Sequence, residues 1–138
     1  MIETIQLTDH IDACRALRRT VFIEEQGVSE ADEIDDLDPV CLHLLATRDG
    51  QPIGTARVLI KDGIAKIGRV CVLQSNRGTG LGAALIREAM TVSKGKATAA
   101  KLGAQVHAIG FYEALGFTAT GPVYDDAGID HRDMVQPL

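Results

Sequence analysis

Apolar residues recur along the chain in two rhythms, period two and period three to four, and each rhythm predicts an element. From Ile2 to Leu7 the pattern suits a short strand, after which Thr8 and Asp9 offer side chains that cap a helix. Ile11, Cys14, Leu17 and Val21 then share one face of a helix from Asp9 to about Phe22, with Glu24, Glu25 and Gln26 at its end and Gly27 breaking it. Three β-branched, apolar runs follow, residues 41–48, 51–60 and 64–73, separated by Asp49-Gly50 and Asp62-Gly63. Asp-Gly between such runs is the strongest short hairpin signal, so an antiparallel meander is predicted.

The third run continues without a break into Gln-Ser-Asn-Arg-Gly-Thr-Gly-Leu-Gly and then into Leu81, Leu85, Ala89 and Val92 at helical spacing, ending near Ser93. The join is therefore strand, glycine loop, helix. Ala99 to Gln105 predicts a strand lying parallel to the third run, reached by a right-handed crossover. A helix over residues 108–115, stopped by Gly116, leads to a closing pair over 117–120 and 131–136, with Gly121-Pro122 and residues 125–128 in the connection.

Glycines 78, 80 and 82 leave backbone N–H groups uncovered where a helix begins, so donors and the positive end of the helix dipole converge on one place. Such a loop suits a phosphate or pyrophosphate, with Arg77 adding charge at its rim. A P-loop would need Lys and Ser or Thr where the chain has Ala83 and Ala84. A dinucleotide site matches Gly78, Gly80 and Ala83 but needs an acidic residue about 20 positions on, and none occurs between Glu88 and Glu113. Arg77-x-x-Gly80-x-Gly82 instead resembles the acyl-CoA pyrophosphate loop of the GNAT superfamily of N-acyltransferases. Residues 111–117, Phe-Tyr-Glu-Ala-Leu-Gly-Phe, resemble that family's second signature. Residues 17–26 and the ending Ala127-Gly128-Ile129-Asp130-His131 resemble its ElaA-like branch.

The resemblance implies a single GNAT-like domain over residues 1–138: an α/β mixed sheet, mostly an antiparallel meander with a splayed parallel strand pair, and helices on both faces. It implies acetyl-CoA as cosubstrate, held by the backbone of Val70, Cys71 and Val72 and by Arg77, Gly78, Thr79, Gly80, Leu81, Gly82 and Ala83. The implied reaction is direct acetyl transfer to a primary amine of a small molecule or peptide through a tetrahedral intermediate, with Tyr112 as general acid. A positioned phenol can protonate a departing thiolate, since their ordinary pKa values lie about 1.5 apart. Many members carry Asn five residues before that tyrosine, where this chain has His107, so a cofactor contact there rests on an imidazole. For the base, Glu25 and Glu24 rank first, and His43 and His131 are also chemically capable. A non-catalytic acyl-CoA-binding module is the alternative from another class.

Composition narrows the rest. The chain has 138 residues, 46% of them hydrophobic, enough for one domain with a core. Net charge −5 argues against nucleic acid as a partner. Eight of the 19 acidic residues lie between Glu24 and Asp38, either as a solvated loop or as the border of an entrance for a cationic amine. Arg69 reads as an ion-pair partner of that run. Met1-Ile2-Glu3-Thr4 begins no signal peptide and no run is long enough for a membrane span, which points to a cytoplasmic protein, possible as a homodimer. Cys14, Cys41 and Cys71 are odd in number and widely spaced, so they read as small core residues, with no metal expected.

Overall fold

A computed structural model describes residues 3–138; the expected start of the first strand at Ile2 lies outside the described residues. Strand β1 (Glu3–Thr8) leads to helix α1 (Ile11–Arg18), which continues as a wider π-type turn over Arg19–Glu25. A short helix α2 (Glu30–Glu33) precedes the meander β2 (Leu42–Arg48), β3 (Gln51–Lys61) and β4 (Ile64–Val72). Helix α3 (Leu81–Ser93), strand β5 (Ala99–Gln105), helix α4 (Ile109–Ala114) and the hairpin β6 (Thr118–Asp126) and β7 (Ile129–Pro137) complete the chain.

The seven strands form one mixed sheet in the order β1-β2-β3-β4-β5-β7-β6, antiparallel except for β4 beside β5. Both Asp-Gly turns place two consecutive residues at positive φ, Asp49 and Gly50 at 50° and 82° and Asp62 and Gly63 at 53° and 76°. That is the turn whose twist matches the flanking strands. Ala127-Gly128 makes the same turn at 54° and 80°, so β6 and β7 run on through Asp125 and Asp126 to pair Asp126 with Ile129. The closing pair is thus longer than expected, and Gly121-Pro122 sits inside it as a bulge between Thr120 and Tyr124.

Helices cover both faces. Leu44 and Ala46 of β2 point into the larger core with Leu81, Leu85, Ile86 and Ala89 of α3, while Leu45 between them points into a second core with Cys14, Leu17 and Val21 of α1. The first helix begins two residues later than expected; Thr8 accepts from the N–H of His10 rather than capping the helix proper. Cys14 and Cys71 are buried, as expected of small core residues, whereas Cys41 is half-buried. Among the described residues no helix is long and apolar enough to cross a membrane.

The parallel pair parts early. β4 and β5 pair only at Ile64 with Ala99, Ala65 with Ala100 and Lys66 with Lys101, although both strands run several residues further. Beyond that point β4 carries a bulge, with Arg69 and Val70 opposite the single residue Ala56, and Arg69 at φ 49°. The extra residue moves the core face from Ala65 and Ile67 to Val70 and Val72, and bends β4 away from β5.

Candidate active site

The gap between the diverging strands opens into a cleft of about 440 Å³. Ile67, Gly68 and Val70 of β4 form one side, Leu102, Gly103 and Gln105 of β5 the other, with Tyr112 inside. The acidic loop and the β6–β7 turn complete the walls.

The glycine loop lies at one end of β4. Gly78 and Gly80 adopt φ of 77° and 85°, conformations that side-chain-bearing residues rarely hold, and no atom lies within 4 Å of where a Cβ would stand at either. The loop surface is therefore open. Gly80 begins α3 without a side-chain cap, and the first hydrogen bond of the helix runs from Ala84 N to Gly80 O. The amides of Leu81, Gly82 and Ala83 are thus left as donors at the positive end of the dipole. Their arrangement fits a diphosphate. Thr79 turns inward instead, its hydroxyl donating to Asn76 O at 2.8 Å.

Arg77 is engaged by its own protein. Its Nε donates to Val72 O at 3.0 Å, and Nη1 and Nη2 donate to both oxygens of Glu25 at 2.6 and 2.8 Å. The expected free charge at the rim is therefore half of a clamp between the glycine loop and the end of the first helical segment. Arg77 also holds the Glu25 carboxyl below its ordinary range. Glu25 and Glu24 are both exposed, and neither lines the cleft.

Backbone alternation divides the three β4 residues. Leu73 N donates to Ile53 O, and Cys71 sits opposite Thr55, so Cys71 turns its main chain toward β3 and its thiol into the second core. Val70 and Val72 turn theirs toward the gap, with the Val72 carbonyl already taken by Arg77. Burial pushes the Cys71 thiol up to about 12. Of the expected strand contacts, Val70 lies beyond the last β4–β5 pair and lines the gap.

Tyr112 packs edge-on against Phe111 and Phe117, ring centroids 5.0 and 6.2 Å apart, and its hydroxyl has no partner among the described residues. Burial raises the phenol's pKa. His107 is exposed and donates through Nε2 to Gln105 Oε1 at 2.7 Å, while Gln105 donates to Gln26 Oε1 at 3.3 Å. It belongs to a polar chain spanning the mouth of the gap.

The acidic run divides: Glu24, Glu25, Glu30, Asp32 and Asp36 are exposed, whereas Glu33, Asp35 and Asp38 turn inward onto arginines. Asp38, 1% exposed, accepts from Arg15, from both terminal nitrogens of Arg18, and from Arg57; Glu33, 3% exposed, accepts from Arg18 Nε at 2.5 Å. Arg57 is bidentate to Asp35 at 2.9 Å, and Arg69 reaches Asp35 and the carbonyls of Asp32 and Glu33. Arg69 is thus the expected ion-pair partner. The roles of Arg18 and Arg57 escaped the sequence reading, although both interrupt apolar faces. Arg18 lies four residues after Cys14, and Arg57 stands inside the run from Ile53 to Ile60. Of the two histidine candidates, His43 is buried, donating through Nε2 to Asp38 O at 2.8 Å, and does not reach the cleft, whereas His131 lines it.

Comparison with known proteins agrees with this architecture. Residues 18–138 match the acetyltransferase (GNAT) domain family. The uncharacterised Bacillus subtilis protein YyaT is 40% identical over 96% of this chain and 94% of its own. An acyl-CoA N-acyltransferase structure from Pseudomonas aeruginosa superposes with TM-score 0.86 at 32% identity, covering 99% of both chains. Escherichia coli ElaA is 32% identical over 88% of this chain and 84% of its own, and its crystal structure superposes with TM-score 0.86 over 98% and 99%.

Proposed function

The chain belongs to the GNAT acetyltransferase family, with ElaA among its homologues, and on that premise we propose that it transfers an acetyl group from acetyl-CoA directly to a primary amine of a small molecule or peptide. The observation that carries this reading is the parting of β4 from β5 after Lys66 and Lys101, with the open glycine loop at one end and the unpartnered Tyr112 hydroxyl within.

Bound acetyl-CoA supplies the activated thioester. The amides of Gly78 to Ala83 hold its diphosphate, and the main chain of Val70, which has no β5 partner, receives the amide arm. A main-chain N–H at that position also stabilises negative charge developing on the thioester oxygen. Tyr112 donates its proton to the departing sulfur. Its raised pKa keeps the phenol protonated at neutral pH, ready to act. Direct transfer is supported by the cysteines: a Cys71 thiol held near 12 and turned into the opposite core does not serve as a nucleophile.

Arg77 and Glu25 act as a clamp on the loop rather than as phosphate ligand and base. His107 acts through Gln105 at the mouth. Of the four carboxylates that line the cleft, Glu33 and Asp35 are paired with arginines, which leaves Asp32 and Asp126 for a positively charged acceptor and less free acid than the sequence suggests.

The test is thiol release from acetyl-CoA with spermidine, glucosamine and a lysine-containing peptide as acceptors. Turnover with at least one, and a new amide by mass spectrometry, is expected. CoA binding without any thiol release from these acceptors or a wider amine panel would leave an acyl-CoA-binding module instead.

A further inference from the structure

Amine acetylation requires a group that takes the proton of the incoming ammonium, and within the acetyltransferase reading that group must face the cleft. Glu25 is committed to Arg77, Glu24 lies off the cleft, and His43 is buried with Nε2 bound to Asp38 O. His131 lines the cleft.

Its surroundings fix its tautomer. Nδ1 lies 2.7 Å from the carbonyl oxygen of Ile129. A carbonyl only accepts, so Nδ1 carries the hydrogen and the neutral ring keeps its lone pair on Nε2. Nε2 has no partner among the described residues, and His131 is one of the residues lining the cleft. The ring is also held in place. His131 stands opposite Gln105 on one side and Tyr124 on the other, and stacks on Tyr124 with centroids 6.0 Å apart and planes 23° apart. Tyr124 in turn donates to Asp133 Oδ1 at 2.8 Å, across a gap that exists because Gly103 has no Cβ; one there would stand 2.5 Å from the tyrosine oxygen.

We propose that Nε2 of His131 takes the proton from the acceptor ammonium. The neutral amine's lone pair then forms the bond to the thioester carbon as the carbonyl electrons move to oxygen. When the carbon–sulfur bond breaks, the thiolate takes the Tyr112 proton, and the tyrosinate recovers one from the new amide nitrogen. The proton on His131 leaves to solvent through the cleft, so one proton is released per turnover. Asp126 and Asp32 also line the cleft, but neither has the fixed, oriented lone pair that the Ile129 carbonyl and the Tyr124 ring give His131. The titratable and charged groups that line the cleft with the ring are Asp32, Glu33 and Asp35 of the acidic loop, Arg57 of β3, Lys66 and Arg69 of β4, Tyr112 of α4, and Tyr124 and Asp126 of β6, with Asp133 of β7 bound to Tyr124; β5 contributes the neutral Gln105.

Nitrogen-15 spectra of the imidazoles, with His131 assigned by through-bond correlation to its own backbone, should show the Nδ1-protonated tautomer in the neutral ring. An Nε2-protonated ring would overturn the proposal, and this readout on the intact protein stands however well His131→Gln folds. In thiol release with the acceptor the wild type uses, His131→Gln should lower kcat/KM for the amine about 10²- to 10³-fold at pH 7. The KM for acetyl-CoA should stay within about threefold, and the deficit should shrink as pH rises and free amine becomes abundant. An equal deficit at every pH, no deficit, or the same pH-dependent loss in Asp126→Asn instead would refute it. A wild type that turns over no amine would sink the acetyltransferase reading itself, whereas an active wild type with an equally active His131→Gln would sink only this assignment.

Discussion

Replacing Asp38 by Asn removes the charge that three guanidinium groups share beneath the cleft. Asp38 and Arg18 are each 1% exposed, and Asp38 accepts from Arg15 Nε, Arg18 Nη1 and Nη2, and Arg57 Nη1 at 2.9 to 3.0 Å. Asn keeps the shape and one acceptor oxygen but leaves Arg18 with Glu33 alone. Breaking a buried pair so that one ion stays behind costs about 3–5 kcal/mol, far above the value of an exposed pair. At about 2.1 cal/mol/K per residue of unfolding entropy, that loss lowers Tm by roughly 10–17 °C. Urea unfolding followed by far-UV circular dichroism measures it, with Arg15→Gln as control because Arg15 is 46% exposed and should cost under about 1 kcal/mol. A loss in Asp38→Asn no larger than in Arg15→Gln would show that the cluster does not hold the acidic loop. The pH dependence follows in sign. Burial alone would raise the Asp38 carboxyl, but hydrogen bonds from Arg18, Arg15 and Arg57 hold it well below the ordinary range. Its contribution is complete above about pH 4 and fades as pH falls below that, so acid unfolding should start at higher pH in Asp38→Asn.

Tyr112→Phe should lower kcat about 10²- to 10⁴-fold in the thiol-release assay while CoA affinity by calorimetry stays nearly unchanged. Because burial raises the Tyr112 pKa, the alkaline fall in wild-type kcat should lie above pH 10, which a pH profile checks. Gly80→Ala forces a side chain into φ 85° and should cost about 1–2 kcal/mol in urea unfolding as well as weaken CoA binding. Glu25→Gln, by contrast, should change kcat by less than about threefold, since general-base catalysis is worth 10² or more and Glu25 is bound to Arg77 instead; a larger loss with unchanged CoA affinity would restore it as the base.

Local signals were the legible ones. The meander could be read because its turns are written in adjacent residues, Asp49-Gly50 and Asp62-Gly63, and because apolar residues dominate the buried strands β2 to β4 between them. The glycine loop was legible for the same reason. The β6–β7 hairpin was read short because β6 is exposed almost throughout, so Pro122, Asp125 and Asp126 sit in it at no burial cost and no alternation marks it. The ion cluster was hidden because its members come from α1, α2, β3 and β4, and nothing in a charge run says which arginines will fold over it. Arg69 was anticipated; Arg18 and Arg57, embedded in apolar stretches, were the clue left unused. The setting of His131 was hidden for a related reason: what aims its imidazole is a carbonyl two residues away, at Ile129, and a stacked ring from the neighbouring strand.

On the proposed reading, main-chain donors of the glycine loop and of the parted strand hold the diphosphate and amide arm of CoA. Amide chemical shifts followed while CoA is added test it most directly. Gly78, Thr79, Gly80, Leu81, Gly82 and Val70 are expected to move together along one saturating curve, with NAD leaving them in place. Saturable CoA binding that leaves the loop unperturbed, or NAD moving the same amides, would contradict it.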